Sequence, residues 1–453
     1  MNNAKILKIH GKLSTLILVL CLIWIVSGFL HPFMGWFRPG AANFRPPASQ
    51  LTQRPIEIQR IITKYDLRGI GGGRLMVWGK KNVYQIKLKG RLLYYDALSG
   101  EEIEDGDVKY AEFLARYYGA EQGAVGPVEL VTQFNYQYPF VNRLLPVQKV
   151  HFKETGRDYY IHTESDRLGT IGCTSKDVMS LFFKLFHNLS LLDVFPRFKL
   201  LVVTLAMGLI AFTACTGLYL YFKLKNKRKR IRKWHVRSGL FSSVIIFLMT
   251  FSGLFHIWVK TINMPGRAVI KKSHYNPSQW NISLSDFAVK AAELSLAKLK
   301  GKDYLRVKNF DFKAKQTLIN YFPMDGSGVL ISEVNFARGL ASEMSGKDAS
   351  EIKSLELITR FSGEYGFVNK RLPVWKVTFN KTPLSLYIET RSQKESLRVN
   401  TLKRVEGFSF AYLHKAHYLD FLGKNGRNIV LMLFCVIVGF LAITGVKMKS
   451  RVR

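Results

Sequence analysis

Four long apolar runs alternate with polar stretches along the chain. The runs cover residues 13–30, 199–221, 239–259 and 428–446. The hydrocarbon core of a bilayer is about 30 Å thick and needs about 20 helical residues, so each run has the length of a transmembrane helix. The first run is longer than the core of a signal peptide, which has about 7–15 apolar residues, and it resembles the third. We therefore expect the first run to be retained and predict four transmembrane helices.

The two long polar segments between these runs contain shorter helical and strand patterns. Residues 56–65 have the spacing of a short amphipathic helix, and residues 286–299 have that of a longer one. Two further amphipathic helices, at 179–194 and 408–421, are predicted to lead into the second and fourth runs. Alternation of apolar and polar residues predicts strands at 74–78, 83–89, 91–95, 147–152, 158–163, 374–379 and 384–390. Each polar segment is therefore expected to fold as small α+β modules.

The chain repeats itself at an offset of 227 residues. Three segments recur with many identities: 129–134 as 356–361, 140–150 as 367–377, and 187–193 as 414–420. The first and third runs both end in Ser-Gly-x-x-His, and the second and fourth both carry Thr-Gly. So many matches at nearly one spacing indicate a tandem duplication of a unit made of span, polar domain and span. Two such units predict a four-helix transmembrane bundle with a pseudo-twofold axis along the membrane normal.

Charge predicts the orientation of this bundle. The formal net charge is +35, and lysine and arginine are concentrated before the first run, in residues 223–233 and after the last run. Because short cytoplasmic segments are rich in lysine and arginine, both termini and this loop are predicted to lie in the cytoplasm. The long polar segments then lie in the periplasm of a Gram-negative cell. We expect a multi-pass protein of the bacterial inner membrane.

This topology predicts an order of domains. It consists of transmembrane helix 1 in residues 1–31, a first periplasmic α+β domain at 32–198, helix 2 at 199–222, a basic cytoplasmic loop at 223–237, helix 3 at 238–259, a second periplasmic α+β domain at 260–427, helix 4 at 428–447 and a cytoplasmic tail at 448–453. The periplasmic segments are also basic, which suits contact with membrane lipid or attraction of an anionic ligand. Nucleic acid is not an expected partner. Three of the four cysteines lie in apolar runs, so no disulfide framework is predicted.

Six of the ten histidines form three pairs related by the repeat. The pairs are His10 with His235, His31 with His256, and His187 with His414. The first and third runs each have a histidine at both ends, 21 residues apart. Such a spacing rises about 31 Å, one membrane thickness, and turns only about 60° around the helix, so both histidines of a run can share one inward face.

Under the pseudo-twofold, His10 is expected to face His235 on the cytoplasmic side, and His31 to face His256 on the outer side. Imidazoles presented in pairs from facing helices are how a protein holds haem iron from both sides. All six histidines are therefore predicted as axial ligands of one to three b-type haems. The alternative is that interface histidines bond to headgroups or cap helices. A zinc or copper site is disfavoured, because the usual Cys, Asp and Glu ligands are not nearby.

Several motifs resemble a known family. Residues 94–101, and the strand pair 145–152 and 160–166, resemble the PepSY module. With the histidine-flanked spans and the His-x5-Asp segments before the second and fourth runs, the whole chain resembles the PepSY-associated transmembrane proteins. Residues 423–427 keep that family's glycine-rich segment, whereas residues 193–197 depart from it. The resemblance implies two PepSY-like domains on a four-helix bundle, in membrane haem proteins that reduce ferric siderophores on the periplasmic side during iron uptake.

The expected function is therefore haem-dependent transfer of electrons outward to a ferric siderophore or another ferric chelate. No flavin or nicotinamide domain is recognisable, so quinol or a separate cytoplasmic reductase is the expected donor. The alternative is a non-enzymatic PepSY membrane protein that binds a peptide, a protease or a siderophore in a regulatory or uptake-accessory role. A transporter is disfavoured, because the runs contain almost no acidic residue. No further catalytic residue is identified, and the rise of about 31 Å from His10 to His31 is long for one electron hop.

Overall fold

The structure, a computed structural model, describes residues 3–47, 50–224, 230–262, 274–289, 291–311 and 316–450. It separates into a helical unit and a sheet unit. The helical unit comprises Met1–Arg38, Thr174–Pro265 and Thr401–Arg453, and the sheet unit comprises Pro39–Cys173 and Gly266–Asn400. Parts of the predicted cytoplasmic loop and tail, at 225–229 and 451–453, lie outside the described residues.

Four long helices at the predicted positions form the helical unit. Span 1 consists of the consecutive helices Asn3–Leu16 and Leu18–Leu30, span 2 is Pro196–Lys223, span 3 is Arg230–Ile262 and span 4 is Gly423–Ser450. A short helix, Phe33–Trp36, follows span 1. Each span contains a stretch long and apolar enough to cross a membrane. The prediction of four candidate membrane-spanning helices is confirmed.

The spans pack in a ring. Span 1 contacts spans 2 and 4, and span 3 contacts the same two, so spans 1 and 3 lie at opposite corners. Many large apolar side chains, such as Leu205, Phe212 and Phe247, are exposed. Several buried positions carry small hydroxylated residues instead: Ser27, Ser242, Ser243, Ser252 and Thr444. Small residues inside and large apolar residues outside are typical of helices that associate within lipid.

The segments that lead into spans 2 and 4 have the same three parts: an α-helix, one π-helical turn and a 3₁₀ turn. In the first half these are Thr174–Phe182, Phe183–His187 and Ser190–Leu192; in the second they are Thr401–Ser409, Phe410–His414 and His417–Leu422. The single helices predicted at 179–194 and 408–421 are wrong in this respect. Leu189 and Ala416 adopt φ of 49° and 53°, which interrupts any helix after each π turn.

The described part of the sheet unit contains fifteen strands in three antiparallel sheets. In chain order they are β1 Ile70–Trp78, β2 Lys81–Leu88, β3 Arg91–Asp96, β4 Glu129–Val131, β5 Val147–Phe152, β6 Arg157–His162, β7 Arg167–Gly172, β8 Ala291–Leu299, β9 Lys302–Asp311, β10 Gln316–Pro323, β11 Ile331–Ser332, β12 Ile352–Ile358, β13 Val374–Phe379, β14 Ser385–Glu389 and β15 Lys394–Val399. One sheet has the order β11-β10-β9-β8-β1-β2-β3, and the others are β4-β5-β6-β7 and β12-β13-β14-β15. All the predicted strands are confirmed.

Two amphipathic helices cover these sheets. The helix Gly106–Gly119 buries Tyr110, Leu114 and Tyr118, and the helix Glu333–Ser345 buries Phe336, Leu340 and Met344. Each set recurs every four residues, the spacing of one helix face, and packs into its own apolar core. The predicted helix at 56–65 is confirmed as Ile58–Lys64. Shorter elements are the helix Ser285–Ala288 and the 3₁₀ turns Phe140–Asn142, Pro277–Gln279, Ala349–Glu351 and Phe367–Asn369.

The helix predicted at 286–299 is wrong. Only Ser285–Ala288 is helical, and Ala291–Leu299 is the central strand β8. The alanine, leucine, glutamate and lysine of this segment favour a helix locally. β8 is nevertheless hydrogen-bonded on both sides, to β9 and β1, and nearly all of its side chains are buried. Tertiary pairing and burial therefore override local propensity.

Strands β1 and β8 join the two polar segments into one sheet. Arg74 lies opposite Ser295, and Leu75 lies opposite Leu294. Both strands have nine residues and are followed by a two-residue turn and a hairpin partner, so they occupy equivalent places in the two halves. Because β1 and β8 are equivalent, Arg74 lies opposite its own counterpart, Ser295, in the strand register. The two predicted outer domains therefore share their largest sheet.

Buried ion pairs connect the hairpin turns of the two halves. Asp166 lies in the β6–β7 turn, and its carboxylate accepts hydrogen bonds from Nη1 and Nη2 of Arg74, both at 2.6 Å. It also accepts one at 2.9 Å from Nη2 of Arg391, which lies in the β14–β15 turn. Glu293 pairs with Arg391 and, at 3.0 Å, with Arg306. Burial alone would raise the pKa of the Asp166 carboxyl, but Arg74 and Arg391 hold it well below its ordinary value.

Candidate functional site

His10 in span 1 rests on a Thr-Gly pair of span 2. Its Nδ1 lies 3.0 Å from Thr216 Oγ1. A methyl group in place of the Gly217 hydrogen would lie 3.3 Å from His10 Cε1, so the imidazole lies close against the span 2 backbone. Thr216 Oγ1 itself donates to the carbonyl of Thr213 at 2.9 Å. The hydroxyl is therefore an acceptor for the imidazole, and Nδ1 carries the proton.

His235 in span 3 makes the same contacts with span 4. Its Nδ1 lies 3.1 Å from Thr444 Oγ1 and 3.2 Å from the carbonyl oxygen of Leu441. A methyl group on Gly445 would lie 3.3 Å from His235 Cε1. Because a carbonyl can only accept, Nδ1 of His235 is the donor. His235 also lies close enough to His10 for their charges to interact. We call the end of the ring that holds this pair the basic end, since the lysines and arginines of residues 5–12 and 232–237 lie there.

His187 and His414 form the second pair, from the two π turns. His187 Nδ1 lies 3.0 Å from Ser27 Oγ of span 1, and His414 Nδ1 lies 3.2 Å from the carbonyl oxygen of Met249 in span 3. Ser27 Oγ donates to a carbonyl of its own helix at 3.1 Å, so it accepts from His187. The two imidazoles interact electrostatically. Burial lowers the pKa of His187 and of His414 to about 4, so both are neutral at physiological pH.

The four histidines therefore share one arrangement. Each Nδ1–H is taken by a hydroxyl or a carbonyl of a neighbouring span, which fixes the ring tautomer. Their Nε2 atoms make no hydrogen bond with any residue that the structure describes. A neutral imidazole whose Nδ1–H is bonded presents the Nε2 lone pair, which is the form that ligates a metal ion. Each pair thus offers two nitrogen ligands.

His31 and His256 lie in a different environment. In the first half the Phe183 ring lies between His31 and His187, with centroid distances of 4.8 and 4.4 Å. In the second half Phe410 lies between His256 and His414, at 3.9 and 4.9 Å. Each π turn begins with this phenylalanine and ends with the histidine. Neither phenylalanine is among the predicted site residues, although their recurrence at the offset of 227 is a detectable signal in the sequence.

The outer histidines also differ between the halves. His256 Nδ1 pairs with Glu406, whereas the position equivalent to Glu406 in the first half is Met179. His31 is exposed, and Lys415 and Lys424 are near enough to act on it electrostatically. The predicted facing of His31 and His256 stays a prediction. Within the described residues no group of three or more His, Cys, Asp and Glu side chains is arranged to hold a metal ion.

Along the axis of the bundle, the His10–His235 pair and the His187–His414 pair lie closer together than the spacing of His10 and His31 in the sequence suggests. Ser27, the partner of His187, follows His10 by 17 residues, which is about 26 Å of helix rise. Met249, the partner of His414, follows His235 by 14 residues, which is about 21 Å. Both values are below the rise of about 31 Å that separates His10 from His31. The π turns therefore place His187 and His414 inside the ring rather than at its rim.

Comparison with known proteins identifies the family. The model of the PepSY-associated TM region matches residues 119–451, about three quarters of the chain. The chain belongs to this family. No curated protein matches it. In this PepSY-associated TM protein, the matched region contains four of the six candidate histidines: His187, His235, His256 and His414. His10 and His31 precede it, and the contacts of His10 with Thr216 and Gly217 mirror those of its partner inside the matched region.

Three of the four remaining histidines of this PepSY-associated TM protein have side-chain partners among the described residues. His417 and Arg427 both contact Asp420, and His417 Nδ1 lies 2.8 Å from the Asp420 carboxylate. His151 Nδ1 lies 2.8 Å from the Asp158 carboxylate in the sheet unit. These are hydrogen bonds to carboxylates away from the two pairs, as expected for histidines without a symmetric counterpart in the bundle. His162 is buried in the sheet unit, where its Nδ1 contacts Ser165 Oγ.

Proposed function

We propose that this protein is a haem protein of the bacterial inner membrane that passes electrons to the periplasmic side, where they reduce a ferric siderophore or another ferric chelate for iron acquisition. The observation that carries the proposal is a set of four imidazoles in two pairs, the members of each near enough to interact electrostatically, whose Nδ1 atoms are bonded and whose Nε2 atoms are free among the described residues. Quinol or a separate cytoplasmic reductase would supply the electrons.

The residues present fit haem. Two neutral imidazoles from facing helices are the donor set of a b-type haem, and His10 with His235 would hold one and His187 with His414 another. Glycines lie against three of these imidazoles, at positions where any side chain would press on the ring. Haem, when bound, supplies one-electron chemistry at its iron. His31 and His256 are candidates for a third pair, and the proposal does not depend on them.

The chain's own residues orient the ligands. Thr216, Thr444, Ser27 and the Met249 carbonyl each accept a hydrogen bond from an imidazole Nδ1–H, so the rings hold one tautomer and one direction. The Phe183 and Phe410 rings stack on His187 and His414 and restrict their rotation. Partners of this kind are expected to raise ligand basicity and to tune the potential of a bound metal.

The proposed direction of electron flow rests on charge. Lysine and arginine at the basic end favour a cytoplasmic location for His10 and His235, because such residues are retained on the cytoplasmic side. The π-turn pair would then lie nearer the periplasm, with the sheet unit outside the membrane. We further infer that the chain arose by tandem duplication. Both halves contain a four-stranded sheet and a π turn at the same offset.

Absorption spectroscopy of histidine variants tests the proposal. The protein purified from haem-replete cells should show a Soret band and low-spin α and β bands after reduction by dithionite. His10→Ala and His414→Ala should each lose about half of the haem bound per protein, and the double variant should lose nearly all of it. His151→Ala is the matched control and should keep the full spectrum. A colourless wild-type protein, or a double variant that keeps its haem, would overturn the assignment.

A further inference from the structure

The sheet unit contains a cleft of about 610 Å³ that the proposed haem function does not use. It lies in the first half, between strand β3 on one side and Val147 and Gln148 of β5 on the other. The first turn of the helix Gly106–Gly119 and the turn after β6 close it. Its volume is within the range of about 300–1,000 Å³ that is typical of ligand sites.

One wall of the cleft is an open sheet edge. β3 pairs with β2 through a two-residue turn, Lys89-Gly90, so Arg91 and Leu88 form a hydrogen-bonded pair and the bonds alternate from there. The N–H and C=O of Leu92 therefore point away from β2. The carbonyl of Tyr94, which points the same way, accepts from Ile103 N at 2.7 Å. No described residue closes the edge at Leu92 in this manner, and such an edge can accept another strand.

The lip of the cleft is acidic in a strongly basic chain. Glu102, Glu104 and Asp105 are exposed, and their carboxylates have no hydrogen-bond or ion-pair partner among the described residues. Arg91 has no partner among the described residues, whereas Lys87, the other basic side chain of the lining, pairs with Glu164 at 2.8 Å. Three free carboxylates against one free guanidinium favour a cationic ligand, in a protein whose net charge is +35.

His162 lines the cleft with a free polar atom. The residue is only 2% exposed; its Nδ1 lies 2.6 Å from Ser165 Oγ, and its Nε2 has no partner among the described residues. A buried polar atom without a partner costs about 1–3 kcal/mol, so one is normally present for a reason. Glu389 occupies the equivalent position in the second half, where Arg371 and Ser392 both bond to it. In the first half, by contrast, the side chain at this position keeps one nitrogen, His162 Nε2, without a partner among the described residues.

We propose that the cleft binds an extended peptide segment with basic side chains, which adds as a strand to β3. The peptide backbone pairs with the N–H and C=O of Leu92, and its lysine or arginine side chains contact Glu102, Glu104 and Asp105. His162 Nε2 bonds a polar group of the segment at the floor of the cleft. Strand addition supplies affinity through the main chain, and the acidic lip supplies specificity. This inference is independent of the histidine pairs in the helical unit.

A binding measurement with the full chain in detergent tests it. The probe is a fluorescein-labelled hexapeptide of alternating lysine and threonine, followed by fluorescence anisotropy. The triple variant Glu102→Gln, Glu104→Gln, Asp105→Asn should weaken binding about tenfold, because it removes three exposed charge contacts. Glu356→Gln, an exposed carboxylate on β12, is the matched control and should bind like the wild type. Equal binding by the triple variant would overturn the proposal.

Two further probes separate strand addition from simple charge attraction. A hexapeptide of the same sequence with N-methylated backbone amides should bind at least fivefold more weakly, since it cannot donate to the β3 edge. Spermidine should compete only weakly with the labelled peptide. Equal binding of the methylated peptide, or strong competition by spermidine, would show that the cleft binds small polycations and would overturn strand addition. His162→Phe keeps the ring shape and should weaken binding about fivefold, whereas His162→Gln should retain most of it; a His162→Phe variant that binds like the wild type would remove His162 from the site.

Discussion

Replacing Asp166 by asparagine should lower the free energy of unfolding of the sheet unit by about 3–5 kcal/mol, because it removes one partner from a buried ion-pair network. The Asp166 side chain is 13% exposed and those of Arg74 and Glu293 are 5% and 9% exposed, so water cannot replace the lost charge. Asp166 also accepts a hydrogen bond from Tyr110 at 2.8 Å. In the variant, Glu293 would be the remaining acid for Arg74 and Arg391 in this network.

Thermal unfolding of the full chain in detergent, followed by circular dichroism in the strand region, measures the effect. A domain of about 150–250 residues shifts its Tm by roughly 2–4 °C per kcal/mol, so a loss of roughly 10 °C is expected. Asp286→Asn is the matched control. Asp286 pairs with Arg54 at 2.8 Å, but the two side chains are 61% and 69% exposed, so its loss should cost less than about 1 kcal/mol.

The pH dependence gives a second signature. The folded-state pKa of Asp166 is depressed, so the stability it adds is present above the unfolded pKa of about 3.9 and is lost as pH falls below it. The difference in Tm between wild type and Asp166→Asn should therefore be constant from about pH 5 to 8 and should shrink below about pH 4. An Asp166→Asn variant that unfolds within 2 °C of Asp286→Asn at pH 7, or a difference that persists unchanged at pH 3, would refute the reasoning.

Two further predictions concern the histidine pairs in the helical unit. Thr216→Val and Thr444→Val each remove a hydroxyl that bonds an imidazole of the basic end, and each should lower haem affinity there by about threefold to tenfold, because a backbone carbonyl, that of Thr213 or Leu441, stays beside each ring. Titration of haem into the apoprotein measures both, and unchanged affinity in both variants would contradict the assigned roles. Gly217→Val should abolish haem binding at the same pair, since its Cβ would lie 3.3 Å from an imidazole carbon. Gly208→Val, with no atom within 4 Å of the added Cβ, should leave the spectrum unchanged; similar spectra for both variants would contradict the close packing.

Much of the fold could be predicted because its signals are local. Apolar runs of membrane length and alternating strands depend on neighbouring residues, and the four spans and the predicted strands are confirmed. The segment at 286–299 failed because its residues favour a helix, whereas pairing with β9 on one side and the distant strand β1 on the other makes it a strand. The pairing of β1 with β8 joins residues more than 200 positions apart, and no local pattern indicates it.

The candidate site was predictable as a set of residues but not as a geometry. The predicted duplication indicated three symmetric histidine pairs, and the Thr-Gly and Ser-Gly motifs marked where helices come close. Which imidazole rests on which motif depends on the order of the spans around the ring, which spacing along one helix cannot indicate. The π turns that bring His187 and His414 inward also escaped detection, because a widened turn has no distinctive composition.

The joint between β1 and β8 has an evolutionary consequence. Arg74 lies opposite its counterpart Ser295 in an antiparallel pair, which is how two identical subunits meet across a twofold axis. Under the proposed duplication, a half-length ancestor could have assembled as a homodimer through this same strand pair. A homodimer must carry every substitution in both copies. Once fused, the halves could diverge, so that one keeps an open histidine in a cleft where the other keeps a paired glutamate.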